Sequence, residues 1–288
     1  MNSILVEPQF RLLDCTGVHT LLDWARNEGW NPGYHDAAIF YQTDPKGFYG
    51  FYDGDELIAG GAIISYSSNY GFMGLFIVSP RYRNSGLGRK LWYLRRDQLL
   101  ARLQSPAIIG MDGVVAMQPF YQKGGFEIAY REERFKIKGR QHAIVAEVVP
   151  YNSSLWSEVL AYDAVCFGCM RLTFLKSWLR AFGHHAFVYD TPEGVKGLAV
   201  IRKAYDGYKI GPLFADNAAI AESLLQACLH TAAEEHVYLD VPVINQEAME
   251  LVQRYDGNYV FECARMYYGG APAIDTDKIF GVTSFELG

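Results

Sequence analysis

The first half of the chain alternates short apolar runs with amphipathic stretches. Ile4–Leu13 predicts an opening strand, and Val18–Asn27 a helix with Leu21, Leu22 and Trp24 available for burial. Residues 28–46 are rich in Gly, Pro, Asn and Asp and read as irregular or partly helical. Gly47–Tyr52 and Glu56–Tyr66 read as strands joined at the hairpin dipeptide Asp53-Gly54, with Tyr70–Val78 as the next strand after a Ser-Ser-Asn turn. Leu87, Leu91 and Leu94 recur at helical spacing, so a helix runs to about Leu103. A short buried strand at 107–111, a short helix to Lys123 and strands at 126–130 and 134–138 follow.

Lys138-Gly139-Arg140-Gln141-His142 is polar and interrupts the pattern, which places a domain boundary near residue 140. The second half repeats the plan. Helices at Leu155–Val165 and Leu172–Ala181 precede strands at Ala186–Asp190, Val195–Lys203 and Tyr208–Phe214. A helix over Ala218–Glu234, a strand over Val237–Val241, a helix over Glu247–Tyr255 and a strand over Tyr259–Tyr268 complete it. Hairpin, strand, helix, strand, helix and strand thus occur twice. The expected fold is α/β (α+β), in two units spanning 1–140 and 141–288, each a mixed, mostly antiparallel sheet flanked by helices.

Candidate chemistry concentrates where the strand Leu75-Phe76-Ile77-Val78 stops at Ser79-Pro80. Arg83-Asn84-Ser85-Gly86-Leu87-Gly88 follows and opens the helix, with Arg81, Arg89 and Lys90 supplying positive charge. Glycines at a helix start leave consecutive N–H groups open to an anion. They also suit a tight strand-to-helix turn that needs positive φ. No Gly-Lys-Ser/Thr follows, which argues against a Walker loop, and the three-glycine dinucleotide spacing is missing.

About forty residues on comes Phe120-Tyr121-Gln122-Lys123-Gly124-Gly125-Phe126. In this order and spacing the two segments resemble the GNAT (GCN-five-related N-acetyltransferase) superfamily: its Arg/Gln-x-x-Gly-x-Gly/Ala acyl-CoA loop and its Tyr-x-x-x-Gly-Phe segment. The resemblance covers roughly residues 3–140. It implies an acetyl-CoA-dependent N-acetyltransferase in which backbone amides of Arg83, Asn84, Ser85, Gly86, Leu87 and Gly88 hold the pyrophosphate. The main chain of Phe76, Ile77 or Val78 would bond the pantetheine in a gap beside that strand, and Arg89 or Lys90 would reach phosphates near the adenosine. Tyr121 maps onto the general acid. The general base is not visible: Tyr70–Val78 holds no Asp or Glu, Asp112 reads either as a base or as a helix N-cap, and otherwise the base comes from the second half or a water chain. Val114 departs from the Asn that many family members carry there.

The second half lacks Arg-x-x-Gly-x-Gly, having Phe214-Ala215-Asp216-Asn217 in its place, and Gln253 falls near the position of Tyr121. It resembles the C-terminal domain of a tandem GNAT subgroup, including the terminal Gly281-Val-Thr-Ser-Phe-Glu-Leu-Gly288 segment. It reads as a degenerate GNAT-like domain that binds no CoA and contributes to the acceptor side. Asp163, Arg171, Asp240 and Tyr267 read there as caps, surface ion pairs or packed aromatics.

Charge and cysteine content narrow the classes. A net charge of −6 argues against a general nucleic-acid footprint. No apolar run reaches membrane-spanning length and no signal peptide is evident. Five scattered cysteines point to reduced thiols in a cytoplasm. Cys166-Phe-Gly-Cys169 has no second Cys pair to complete a zinc site, and no metal is expected. The implied acceptor is the amine of a small molecule or side chain. A non-catalytic acyl-CoA-binding regulatory module is the alternative, and a decayed structural protein the third reading.

Overall fold

The computed structural model describes residues 7–288; Ile4–Val6 of the expected first strand lie outside them. The first half comprises β1 (Gln9–Leu12), α1 (Cys15–Asn27), α2 (Asp36–Thr43), β2 (Phe48–Asp53), β3 (Glu56–Ser65), β4 (Tyr70–Val78), α3 (Leu87–Leu100), β5 (Ile108–Val114), α4 (Gln118–Lys123) and β6 (Glu127–Lys138). The second comprises β7 (Val148–Pro150), α5 (Trp156–Phe167), α6 (Leu172–Trp178), β8 (His184–Thr191), β9 (Gly194–Lys203), β10 (Tyr208–Ala215), α7 (Ala218–Thr231), β11 (His236–Pro242), α8 (Gln246–Arg254), β12 (Asn258–Tyr268) and β13 (Ile279–Gly281).

The elements follow from familiar local signals. Asp14 caps α1 by accepting from the Gly17 amide at 2.8 Å, and Val18, Leu21, Leu22 and Ala25 form its buried stripe. The Asp53-Gly54 turn joins β2 to β3, with Gly54 at φ +60°. Residues 28–46 are more ordered than their composition suggests, because Ala37, Ile39 and Phe40 of α2 are buried.

The strands form one sheet in the order β1-β2-β3-β4-β5-β12-β6-β11-β10-β9-β8-β7, with β13 paired to β10. The halves therefore exchange their long closing strands. β12 runs antiparallel to β5, from Cys263 opposite Val114 to Tyr268 opposite Ile109. β6 runs antiparallel to β11, from His236 opposite Lys138 to Pro242 opposite Glu132. The two exchanged strands pair with each other at the middle of the sheet. A mixed sheet flanked by helices is present as expected, with β4–β5 and β10–β11 as the parallel pairs, but it is one continuous sheet rather than one for each half.

Residues 126–138, expected as two strands, carry the single strand β6. Its charged middle looks like a turn in sequence, yet Glu132 and Arg134 are buried between β11 and β12 beside charges of the second half.

Candidate active site

β4 and β5 pair in parallel only from Tyr70 opposite Ile108 to Phe72 opposite Gly110. Beyond that point they part. A bulge in β4 contributes to the split: Gly60 pairs with Ile77 while Ala62 pairs with Gly74, and Leu75 takes φ +50°. The gap opens into a cavity of about 790 Å³, lined on one side by Met73–Val78 and on the other by Met111, Asp112 and Val114. Among the described residues β4 pairs with no strand on this side after Phe72, and of its carbonyls those of Gly74 and Val78 are taken by Arg95 and Arg83.

Arg95 of α3 holds the bulge. It is fully buried and donates Nη2 to the Gly74 carbonyl at 2.7 Å and also to the Ala62 carbonyl, while Nε and Nη1 have no hydrogen-bond partner among the described residues. Burial lowers its guanidinium below the ordinary arginine value.

The loop after β4 meets the mouth of this cavity. Gly86 occupies the N-cap of α3 at φ +84°, with no side-chain cap on the helix and open space where a Cβ would project. Gly88 lies under β4, where a Cβ would come 3.2 Å from Val78 Cγ2. The first-turn amides of α3 lack intrahelical partners and carry the positive end of the helix dipole. Phe76, Ile77, Val78, Arg83, Asn84, Gly86, Gly88, Arg89 and Tyr121 all line the cavity. Ser85, Leu87 and Lys90 are not on its wall. Ser85 donates its hydroxyl to the Tyr82 carbonyl at 2.6 Å, Leu87 packs in the cluster around Phe51, and Lys90 Nζ bonds Glu7 at 2.7 Å. The Arg83 side chain is engaged at the mouth, donating Nε to the Val78 carbonyl at 3.0 Å and pairing with Glu28.

Tyr121 stands on α4 with its ring stacked on Trp92 at 5.9 Å. The glycine pair that follows it has a packing reason. A Cβ on Gly124 would fall 2.0 Å from the Trp92 ring, and Gly125 takes φ +92° to end the helix. Burial pushes the Tyr121 phenol above its usual value, with the nearby Arg95 guanidinium opposing, so the hydroxyl keeps its proton at neutral pH.

Asp112 is not a helix cap. It lies on β5, and Arg265 of β12 donates Nε to Oδ1 at 2.6 Å and Nη2 to Oδ2 at 3.1 Å. Arg265 Nη2 also lies 3.3 Å from Glu132 Oε1. Asp163–Arg171 and Asp240–Arg134 are likewise buried, hydrogen-bonded ion pairs rather than surface ones. Sequence spacing carried no signal for these, since each pairs across elements.

The corresponding region of the second half is built differently. β10 and β11 pair from Tyr208 opposite Val237 to Ile210 opposite Leu239, and β13 then joins β10. The Val282 amide donates to the Asp240 carbonyl of β11 at 2.9 Å, so residues 279–282 fill the gap. Asn217 caps α7 by accepting from the Ile220 amide at 3.1 Å. The opening present in the first half is thus filled by chain in the second, and the helix start is self-capped.

The terminal segment also reaches the first half's cavity, where Phe285 and Glu286 join Phe261 and Cys263 of β12 on the wall. None of these four follows from the first-half motifs; Phe285 and Glu286 belong to the terminal Gly281–Gly288 segment, and Phe261 and Cys263 to β12. All five cysteines are free, and Cys166 packs with Phe214, Ile279 and Phe285. Among the described residues there is no group of three potential metal ligands, and no helix is long and apolar enough to cross a membrane.

Comparison with known proteins gives the following. Residues 16–126 match the model of the acetyltransferase (GNAT) family, and residues 159–281 match a second acetyltransferase (GNAT) domain. The chain is 31% identical over 268 residues to holothin acyltransferase from Pseudoalteromonas sp. (strain SANK 73390), covering 92% of this chain and 90% of that one. A putative acetyltransferase from Pyrococcus horikoshii superposes with TM-score 0.84 at 21% identity, over 100% of this chain and 99% of that one. A tandem GNAT protein from the clavulanic acid biosynthesis pathway superposes with TM-score 0.64 at 12% identity, over 92% and 99%.

Proposed function

This chain belongs to the GNAT family of acyltransferases, with two such domains in tandem, and on that footing we propose that its first half transfers an acetyl group from acetyl-CoA to the amine of a small molecule, by direct attack in a ternary complex. One observation carries the reading: the uncapped start of α3, with Gly86 and Gly88, opens directly onto the cleft between β4 and β5, and Tyr121 lines that same cleft. The cleft fits the donor. An anion suits the open amides and the arginines at the mouth, and a narrow pantetheine suits the gap beside β4. The bound donor supplies an activated acyl group as its thioester.

The chain's own residues do the rest. The loop from Arg83 to Gly88 anchors the donor, and the free edge of β4 aligns its arm and polarises the carbonyl. Holding donor and amine together in one cleft replaces a bimolecular encounter by an oriented one. The protonated Tyr121 phenol donates to the departing sulfur. The relative named holothin acyltransferase supports transfer over mere acyl-CoA binding. Because residues 279–282 occupy the second half's gap, one donor site per chain is the expected stoichiometry.

The test is calorimetric titration of acetyl-CoA into wild type, Gly86→Ala and Gly86→Glu. Both variants carry the positive-φ strain, about 1 kcal/mol, but only the glutamate repels the pyrophosphate. Binding by wild type at one site, retained in part by Gly86→Ala and lost in folded Gly86→Glu, is the expected result. A folded wild type that binds no acetyl-CoA overturns the reading.

A further inference from the structure

Among the described residues three carboxylates line the cleft: Glu28, Asp112 and Glu286. Glu28 is at the mouth, paired with Arg83. Asp112 has both oxygens bonded by Arg265. Glu286 differs from both. It is 2% exposed and forms a buried ion pair with Lys209, Oε1 to Nζ 3.6 Å, too long for a hydrogen bond, and among the described residues its Oε2 has no hydrogen-bond partner. Among the described residues Lys209 Nζ has no hydrogen-bond partner either. A buried carboxylate normally has donors on both oxygens, and one left short of them is costly unless something else supplies a donor.

The chain goes to some length to place it. After filling the gap of the second half, the terminal segment crosses to β4. The Glu286 carbonyl lies so close to Gly74 that a Cβ there would fall 1.8 Å from it. Gly74 immediately precedes the Leu75 bulge, so Glu286 sits beside the part of β4 that walls the cleft. Lys209 and Arg134 face its charge, and the cleft wall beside it carries aromatic rings. The Phe261 and Phe285 rings are 5.8 Å apart, the Arg134 guanidinium lies 4.7 and 5.1 Å from them, and Trp30 lines the same cavity.

We propose that Glu286 is the group that receives the acceptor amine, and that the acceptor is a primary amine carried on an apolar, ring-bearing body seated against Phe261, Phe285 and Trp30. This rests on the acyl-transfer reading above and names its base and acceptor class. The neutral amine donates an N–H to Glu286. As the nitrogen attacks the thioester carbon the C–N bond forms, and the C–S bond breaks with its electron pair going to sulfur. The amine proton passes to the Glu286 carboxylate, and the Tyr121 phenol proton goes to sulfur. Glu286 then returns its proton through solvent to Tyr121, so the hydrogen lost by the amine ends, in balance, on the thiol.

The experiment measures thiol release from acetyl-CoA with phenethylamine, tryptamine and spermidine, alongside calorimetric acetyl-CoA binding, for wild type and Glu286→Gln. The expected result has two parts. Wild type prefers the ring-bearing amines to spermidine by at least about tenfold in kcat/KM, and Glu286→Gln binds acetyl-CoA as wild type does but transfers about a hundred-fold or more slowly. If Glu286→Gln fails to fold, the double variant Lys209→Met/Glu286→Gln removes both buried charges and is assayed in its place. Either folded variant turning over within about twofold of wild type overturns the role of Glu286. Equal or greater use of spermidine, or acetyl-CoA binding by wild type without transfer to any of the three amines, overturns the acceptor class. Absence of acetyl-CoA binding by wild type overturns the acyl-transfer reading, and this proposal with it.

Discussion

Arg265 stands directly opposite Asp112 in the β5–β12 ladder and bonds both of its carboxylate oxygens, at 2.6 and 3.1 Å. The pair joins residues 153 positions apart and fastens the exchanged strand of the second half to the wall of the first half's cleft. Glu132 of β6 shares the same guanidinium, so two carboxyls meet one cation inside the sheet. Burial pushes both carboxyls up, Glu132 the further, with Arg265 opposing in both and the Asp112 charge raising Glu132 again. Glu132 therefore holds a proton that a surface glutamate would lose.

The pH dependence of stability follows from that proton. A carboxyl with a folded value above its unfolded one binds its proton more tightly in the fold. Its contribution is complete below the unfolded value of about 4.3 and is lost as pH rises towards the folded value, so stability falls with rising pH across that window. Glu132→Gln, neutral throughout, is expected to flatten the fall in melting temperature as pH rises above the ordinary glutamate value of about 4.3. Arg265→Leu strands both carboxyls and is expected to cost about 3–5 kcal/mol. Thermal melts across pH check both, and an unchanged slope in Glu132→Gln refutes the assignment.

Gly61 exists to admit Arg95. A Cβ at Gly61 would lie 2.3 Å from Arg95 Cζ, and Arg95 is the residue that holds the Gly74 carbonyl at the bulge. Gly61→Ala is expected to displace the guanidinium, lower the melting temperature and weaken acetyl-CoA binding together. Adding Arg95→Met relieves the clash, so the double variant is more stable than the sum of the singles predicts, a non-additivity read by denaturant unfolding. Strict additivity contradicts the contact.

Tyr121→Phe keeps the stack on Trp92 and removes only the hydroxyl. The expected outcome is a fall in turnover on the order of a hundred-fold with acetyl-CoA affinity unchanged. Since burial raises the phenol, its ionisation should not limit the wild-type rate below its ordinary value of about 10. Steady-state kinetics with calorimetry on the same samples tests this; undiminished turnover removes Tyr121 from the chemistry.

What the sequence made legible was local. Tyr70–Val78 is a strand with the bounds expected, and Arg83–Gly88 opens a helix, because β-branched and aromatic runs, Ser-Pro and Gly-x-Gly act over a few residues. The wall residues Phe76, Gly88 and Tyr121 could be named instead through the resemblance of two short motifs to the GNAT superfamily. Glu132, Arg134 and Arg265 could not. Charged residues in mid-strand look solvated until their partners are known, and those partners arrive by strand exchange. Glu286 was hidden more deeply, since nothing local distinguishes it from a surface glutamate. Only the path of the terminal segment, through one half's gap and against Gly74, brings it to the cleft.

The exchange predicts how the halves behave apart. Cutting near residue 140 leaves β6 attached to the first half, although its ladders are with β11 and β12 of the second. The first fragment would lack β12 beside β5 and the 279–288 segment beside Gly74; the second would lack β6 beside β11. Each would then expose a sheet edge and a buried charge without its partner, Asp112 in one and Arg265 in the other. Fragments 1–140 and 141–288 expressed singly are expected to be insoluble or unfolded, whereas co-expression yields a stable complex that binds acetyl-CoA. Size-exclusion chromatography and circular dichroism read the result. A folded, monomeric 1–140 fragment with acetyl-CoA affinity equal to the whole chain contradicts the interdependence that the sheet order implies.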